Sequence, residues 1–194
     1  MAYVQADGAK LYFEETGHGY PMLFIHEFGA DHRQWESQVR YFSRFYHCVT
    51  VNARGYPPSE DPQDEGLYDH VHHVEDIGAV MRHLKLNKAH ILWVSMGAYA
   101  TLNFGLRHPE MASALVVAGC GSGAPRAERT RFREEAEILS ARLLKEGMAP
   151  IALALGATRI QLQNKDPRGW EEFTRHLSEH SAQGSASRLP ASTC

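Results

Sequence analysis

Short apolar runs alternate along the chain with longer segments whose apolar positions recur every three to four residues. Residues 3–7 and 10–15 read as two strands joined at Asp7-Gly8, a hairpin signal. Met22-Leu23-Phe24-Ile25 is a continuous apolar run, as expected of a strand buried on both faces of a parallel sheet. Residues 47–52, Ala89 to Val94 and Leu115 to Gly119 have the same character. Between them, residues 31–44 place Trp35, Val39 and Phe42 on one helical face, with Asp31 able to cap the start. A helix over about 69–86 turns Val71, Val74, Ile77, Met81 and Leu84 inward. Another runs from Met96 to about His108 and stops before Pro109. Strands alternating with helices of this length make βαβ units. The fold class is therefore α/β, a mostly parallel sheet with helices on both faces and an antiparallel leading edge.

The pattern changes after Gly123. Residues 126–146 form a charged amphipathic helix, 148–156 a short apolar segment, and about 167–180 a helix begun by Pro167. The expected organisation is a core over 1–123, a helical cap over 124–182 and a disordered or non-native tail over 183–194, whose last residues (GSASRLPASTC) show no period. A net charge of −3 with interspersed signs gives no footprint for nucleic acid. The longest apolar runs are too short to span a bilayer. The N-terminus has no apolar leader and the three cysteines, Cys48, Cys120 and Cys194, are widely spaced, so a cytoplasmic protein is expected.

Chemistry concentrates where strands end. A buried strand runs straight into Ser95 and a helix begins at once, with small residues at Gly97 and Ala98. Such a strand–turn–helix presents a serine hydroxyl on a sharp turn. The backbone N–H of Met96 then lies at a helix N-terminus, suited to stabilising an oxyanion. His26-Glu27-Phe28-Gly29-Ala30 and Asn52 to Ser59 (NARGYPPS) follow parallel strands and open on the same edge. The N–H of Phe28 is the candidate second oxyanion donor.

These three segments, with LRHPEMASALVVAG at 106–119, resemble the α/β-hydrolase superfamily. HEFGA is similar to its His-Gly-x-Gly oxyanion loop, NARGYPPS to Asp-x-Arg-Gly-x-Gly-x-Ser, and WVSMGA to the Gly-x-Ser-x-Gly nucleophile elbow. The likeness covers about residues 3–182 and points to cap-bearing esterases, enol-lactonases, proline iminopeptidases and cofactor-free haloperoxidases. Epoxide hydrolases and haloalkane dehalogenases resemble the chain less, since they use aspartate where it has Ser95. The resemblance implies a serine hydrolase acting on a small ester, lactone or related acyl compound. Ser95 would be the nucleophile, Phe28 and Met96 the oxyanion donors, and no metal or organic cofactor would be needed.

Two positions depart from the family pattern. Glu27 stands for a glycine in the oxyanion loop, and Trp93 for the first glycine of the elbow. Overpacking typically costs roughly 1–3 kcal/mol, so Trp93→Gly is expected to raise stability. The family order of Ser, then Asp or Glu, then His also places both partners after residue 95. There the chain offers only Asp166 as an aspartate, and His108, His176 and His180, none of which follows a strand. The sequence therefore reads as C-terminally truncated, and the alternative function is an inactive remnant or a binding module. The strand at 115–119 is expected to be an exposed edge through which the chain self-associates. His26 is expected to orient its loop rather than act as a base, Glu27 to point away or simply weaken the oxyanion loop rather than replace the acid, and Arg54 to brace its loop. The cluster from Asp69 to Asp76 suggests a metal through His72/Asp76 and Asp69/His73, but suits a solvated helix face with Asp69 as cap better.

Overall fold

A computed structural model of the chain describes residues 2–119 and 125–191, with backbone alone at 96–99, 190 and 191. Strands β1 (Ala2–Ala6) and β2 (Ala9–Thr16) pair antiparallel around Gly8, whose φ of 68° the turn requires. Strands β3 (Tyr20–Ile25), β4 (Tyr46–Val51), β5 (Ala89–Val94) and β6 (Ala112–Ala118) are mutually parallel. The strand order is β1-β2-β4-β3-β5-β6, and β2 meets β4 antiparallel. The crossovers are α1 (Glu36–Phe42), α2 (His70–His83) and α3 (Met96–Arg107).

Successive strand residues point to opposite faces. Leu23, Ile25, Val49, Val51, Ile91 and Trp93 join Val74, Ile77, Val80 and Met81 of α2 and Phe104 of α3 in the larger core. Met22, Phe24 and Cys48 pack on the other face with Trp35, Val39 and Phe42. The apolar runs of β3 and β4 are thus those of strands covered twice. Asp31 caps as expected, accepting from the N–H of Arg33 at 2.8 Å, but the helix opens with a tight turn over His32–Trp35 before α1. Strand β6 begins three residues earlier than expected and forms one edge of the sheet, with Val116 half exposed.

The second layer is helical: α4 (Arg129–Glu146), α5 (Met148–Ala157), α6 (Ile160–Lys165), α7 (Pro167–Ser178) and α8 (Ala182–Ala191). Ala136, Leu143, Met148, Ile151, Ala152, Leu177, Ala186 and Leu189 form its core, against which Phe28 packs from the loop after β3. Helix α8 corrects the expectation of a disordered tail. Ala182, Ala186 and Leu189, spaced i, i+4 and i+7, share one face and pack in this cluster. The polar composition of the segment hides this short stripe. Ser140 Oγ donates to Ala186 O, and Ser181 Oγ donates to Asp61.

Candidate active site

Ser95 follows the last residue of β5 and precedes the first of α3, and its N–H donates to Ala118 O of the neighbouring strand at 2.8 Å. Its φ and ψ are 59° and −119°. A non-glycine residue seldom holds a positive φ, and here the sheet on one side and the helix on the other impose it. The first N–H groups of a helix have no intrahelical acceptor, so Met96 and Gly97 open α3 with donors available at the turn.

The loop after β3 is fixed by His26. Its ring is buried, Nε2 accepts from the N–H of Ala53 at 3.0 Å, and Nδ1 donates to Glu27 O at 2.8 Å. Both nitrogens are used and burial pushes its pKa down to about 3, so the ring is a neutral brace, as expected of a loop-orienting histidine. Gly29 takes φ 75° and donates to Tyr56 Oη at 3.4 Å. The Glu27 carboxylate lies 3.6 Å from Arg159, between α5 and α6, while its N–H donates to Gln34.

The loop after β4 is held by a buried ion pair. Arg54 donates to both oxygens of Asp76 at 2.8 and 2.6 Å, and to Leu67 O and Asp7 O. This is the bracing role expected of it. Ser59 accepts from the N–H of Tyr12 and donates to Asn52 O. Burial pushes the Tyr56 hydroxyl up to about 12.

Trp93 corrects the expectation of overpacking. Its indole is fully buried within the larger core, its Nε1 donates to His26 O at 3.1 Å, and the His73 ring meets it edge-on with centroids 4.6 Å apart. The space opposite the missing elbow glycine is built to receive the ring. Burial lowers the His73 pKa well below its ordinary value, and the nearby Arg188 charge lowers it further.

The late carboxylate and histidines are engaged elsewhere. Asp166 caps α7 through the N–H of Gly169. His108 pairs with Glu75 at 2.8 Å, and His176 lies 2.9 Å from Arg175. His180 is buried with Nε2 3.2 Å from Asp31 Oδ2 and its ring against Tyr56. Burial favours a protonated Asp31, but hydrogen bonds from His180 and Arg33 outweigh it and hold the carboxyl well below the usual range. This acid–histidine pair was not legible in sequence, where Asp31 carries only a capping signal and the two residues are 149 apart.

Within the 69–76 cluster Asp69, His72 and Asp76 are also engaged. Asp69 caps α2 and bonds His72, Asp76 holds Arg54, and His73 is turned into the core. Among the described residues no group of three or more such side chains is placed to hold a metal, and no helix is long and apolar enough to cross a membrane.

The alpha/beta hydrolase fold family matches residues 20–144, well over half of the chain. Epoxide hydrolase 3 of Mus musculus is 31% identical over 117 residues, covering 59% of this chain and 32% of that protein. The 3-oxoadipate enol-lactonase 2 of Acinetobacter baylyi is 26% identical over 170 residues, 86% of this chain and 60% of its own length. An esterase from Thermogutta terrifontis superposes with a TM-score of 0.86 at 20% identity, covering 99% of this chain and 71% of that one. The chain thus spans about a third to three fifths of the length of these two curated relatives. The match to an epoxide hydrolase departs from the ranking expected from Ser95, which set such enzymes behind esterases and enol-lactonases. With the strand order, the elbow and the family match together, the chain belongs to the alpha/beta hydrolase fold family.

Proposed function

We propose that this chain carries the nucleophile-bearing part of a hydrolase that cleaves a small ester, lactone or related acyl compound. The backbone of Ser95 carries the reading, since a positive φ at the junction of a buried strand and a helix lifts the hydroxyl above the sheet. Ser95 Oγ attacks the carbonyl carbon as its proton passes to a base. The tetrahedral oxyanion is held by the N–H groups of Phe28 and Met96, the leaving alcohol departs, and water then releases the acid. The first relatives bear hydrolase names, which supports the class of reaction. The epoxide hydrolase likeness does not alter the nucleophile, because position 95 is serine.

A second reading has its own support: His108, His176 and His180 already serve Glu75, Arg175 and Asp31. On that reading the chain is catalytically inactive, and binds or self-associates. A fluorophosphonate probe decides between them. Stoichiometric labelling that disappears in Ser95→Ala is the expected result, and an unlabelled, folded wild-type chain overturns the active reading in favour of the second.

A further inference from the structure

Arg188 on α8 is 1% exposed, and neither its Nε nor its two terminal nitrogens has a hydrogen-bond partner. A guanidinium stays charged in proteins, and a buried charge without a partner is strongly destabilising. Its charge acts on Tyr56, Asp76, Arg54 and Tyr68. Asp76 does not serve as its counter-ion, because Arg54 holds both carboxylate oxygens. Burial keeps His26 and His73 neutral. Two guanidiniums, Arg54 and Arg188, thus act on the Asp76 carboxylate, and Arg54 takes both of its oxygens. His73 Nε2, whose ring feels the Arg188 charge, is likewise buried without a partner.

The arrangement is firmly seated. A Cβ on Gly184 would fall 2.3 Å from Gly55 O, so only glycine allows α8 to sit this close to the loop after β4. Ser181 and Ser140 tether the segment at Asp61 and Ala186. The guanidinium is thus held inside by the fit of the helix.

We propose that α8 and the loop after β4 enclose a binding site for one carboxylate group, with Arg188 supplying the charge and His73 Nε2 a further hydrogen bond. A single negative charge matches the single uncompensated positive one, and a planar carboxylate matches the two-pronged donor geometry of a guanidinium. The site does not require Ser95 to be active.

The test is thermal unfolding at fixed ionic strength, with potassium acetate replacing chloride and inorganic phosphate as a separate arm. The wild-type midpoint rises saturably with acetate, by about 5 °C at a hundredfold excess over Kd. Arg188→Met loses the response and melts higher than wild type in chloride, because the uncompensated charge is gone. A wild-type response to phosphate alone, no wild-type response at all, or an equal acetate response in Arg188→Met overturns the proposal. Should that variant not fold, the Nε proton resonance of Arg188 in wild type replaces it. A saturable shift with acetate supports the site, and an unmoved resonance overturns it.

Discussion

Replacing Trp93 by glycine restores the residue type of the family elbow, yet the structure predicts a large loss of stability. The indole is fully buried between α2 and the sheet, and truncating a large buried aromatic side chain costs roughly 3–5 kcal/mol. The hydrogen bond from Nε1 to His26 O also disappears, worth about 1 kcal/mol. Glycine inside a strand adds roughly 0.5–1 kcal/mol of backbone entropy. The sum is about 5 kcal/mol, comparable with the whole stability of a small domain at the lower end of roughly 5–15 kcal/mol. Urea unfolding followed by far-ultraviolet circular dichroism measures it, with an unchanged slope and a midpoint reduced by at least half. Trp93→Phe retains most of the ring and loses the donor, so it falls by about 1–2 kcal/mol. A Trp93→Gly midpoint equal to or above that of wild type would refute the reasoning and show that the ring is accommodated under strain.

Asp76→Asn leaves Arg54 buried without its carboxylate, and a fall of about 3–5 kcal/mol in unfolding free energy is expected; a loss under 1 kcal/mol contradicts the bracing role. The folded pKa of His26, about 3, lies below its unfolded value of 6.5, so its contribution is complete above that value and is lost as pH falls toward 3. At pH 5 this amounts to about 2 kcal/mol, and His73, shifted in the same direction, adds to it; equal urea midpoints at pH 7.5 and pH 5 count against both. The β6 edge exposes Val116, and we propose that it mediates self-association. Light scattering is expected to give a mass above the monomer that Val116→Lys reduces, and a monomer at high concentration removes the proposal.

The central strands β3 and β4 were legible because each is a short, largely buried apolar run, and the elbow because Ser95 interrupts strand and helix without a linker. Asp31, Asp69 and Pro167 marked helix starts correctly, since capping and proline geometry are local. Long-range fit was not legible. Nothing in the run from Ala89 to Val94 shows that His73 and the carbonyl of His26 leave a slot for an indole. Helix α8 was missed because its stripe is short and set among serines, and its packing on α4 depends on residues some 45 positions away. A still longer separation in sequence, 149 residues, concealed the pairing of Asp31 with His180, and Arg188 read as a tail residue.

The substitution of Trp93 ties together parts of the site that sequence treats separately. The indole reaches from β5 to the carbonyl of His26, and the His26 ring in turn holds Glu27 O and the N–H of Ala53. One chain of hydrogen bonds thus runs from the strand bearing Ser95, through the loop bearing Phe28, to the loop bearing Arg54. A glycine at position 93, as in the family pattern, has no side chain to help place the loop after β3. Here the placement depends on a neutral His26, whose Nε2 accepts a hydrogen bond that protonation would abolish. The loop that carries the proposed oxyanion donor Phe28 and the fold's acid sensitivity therefore rest on the same ring.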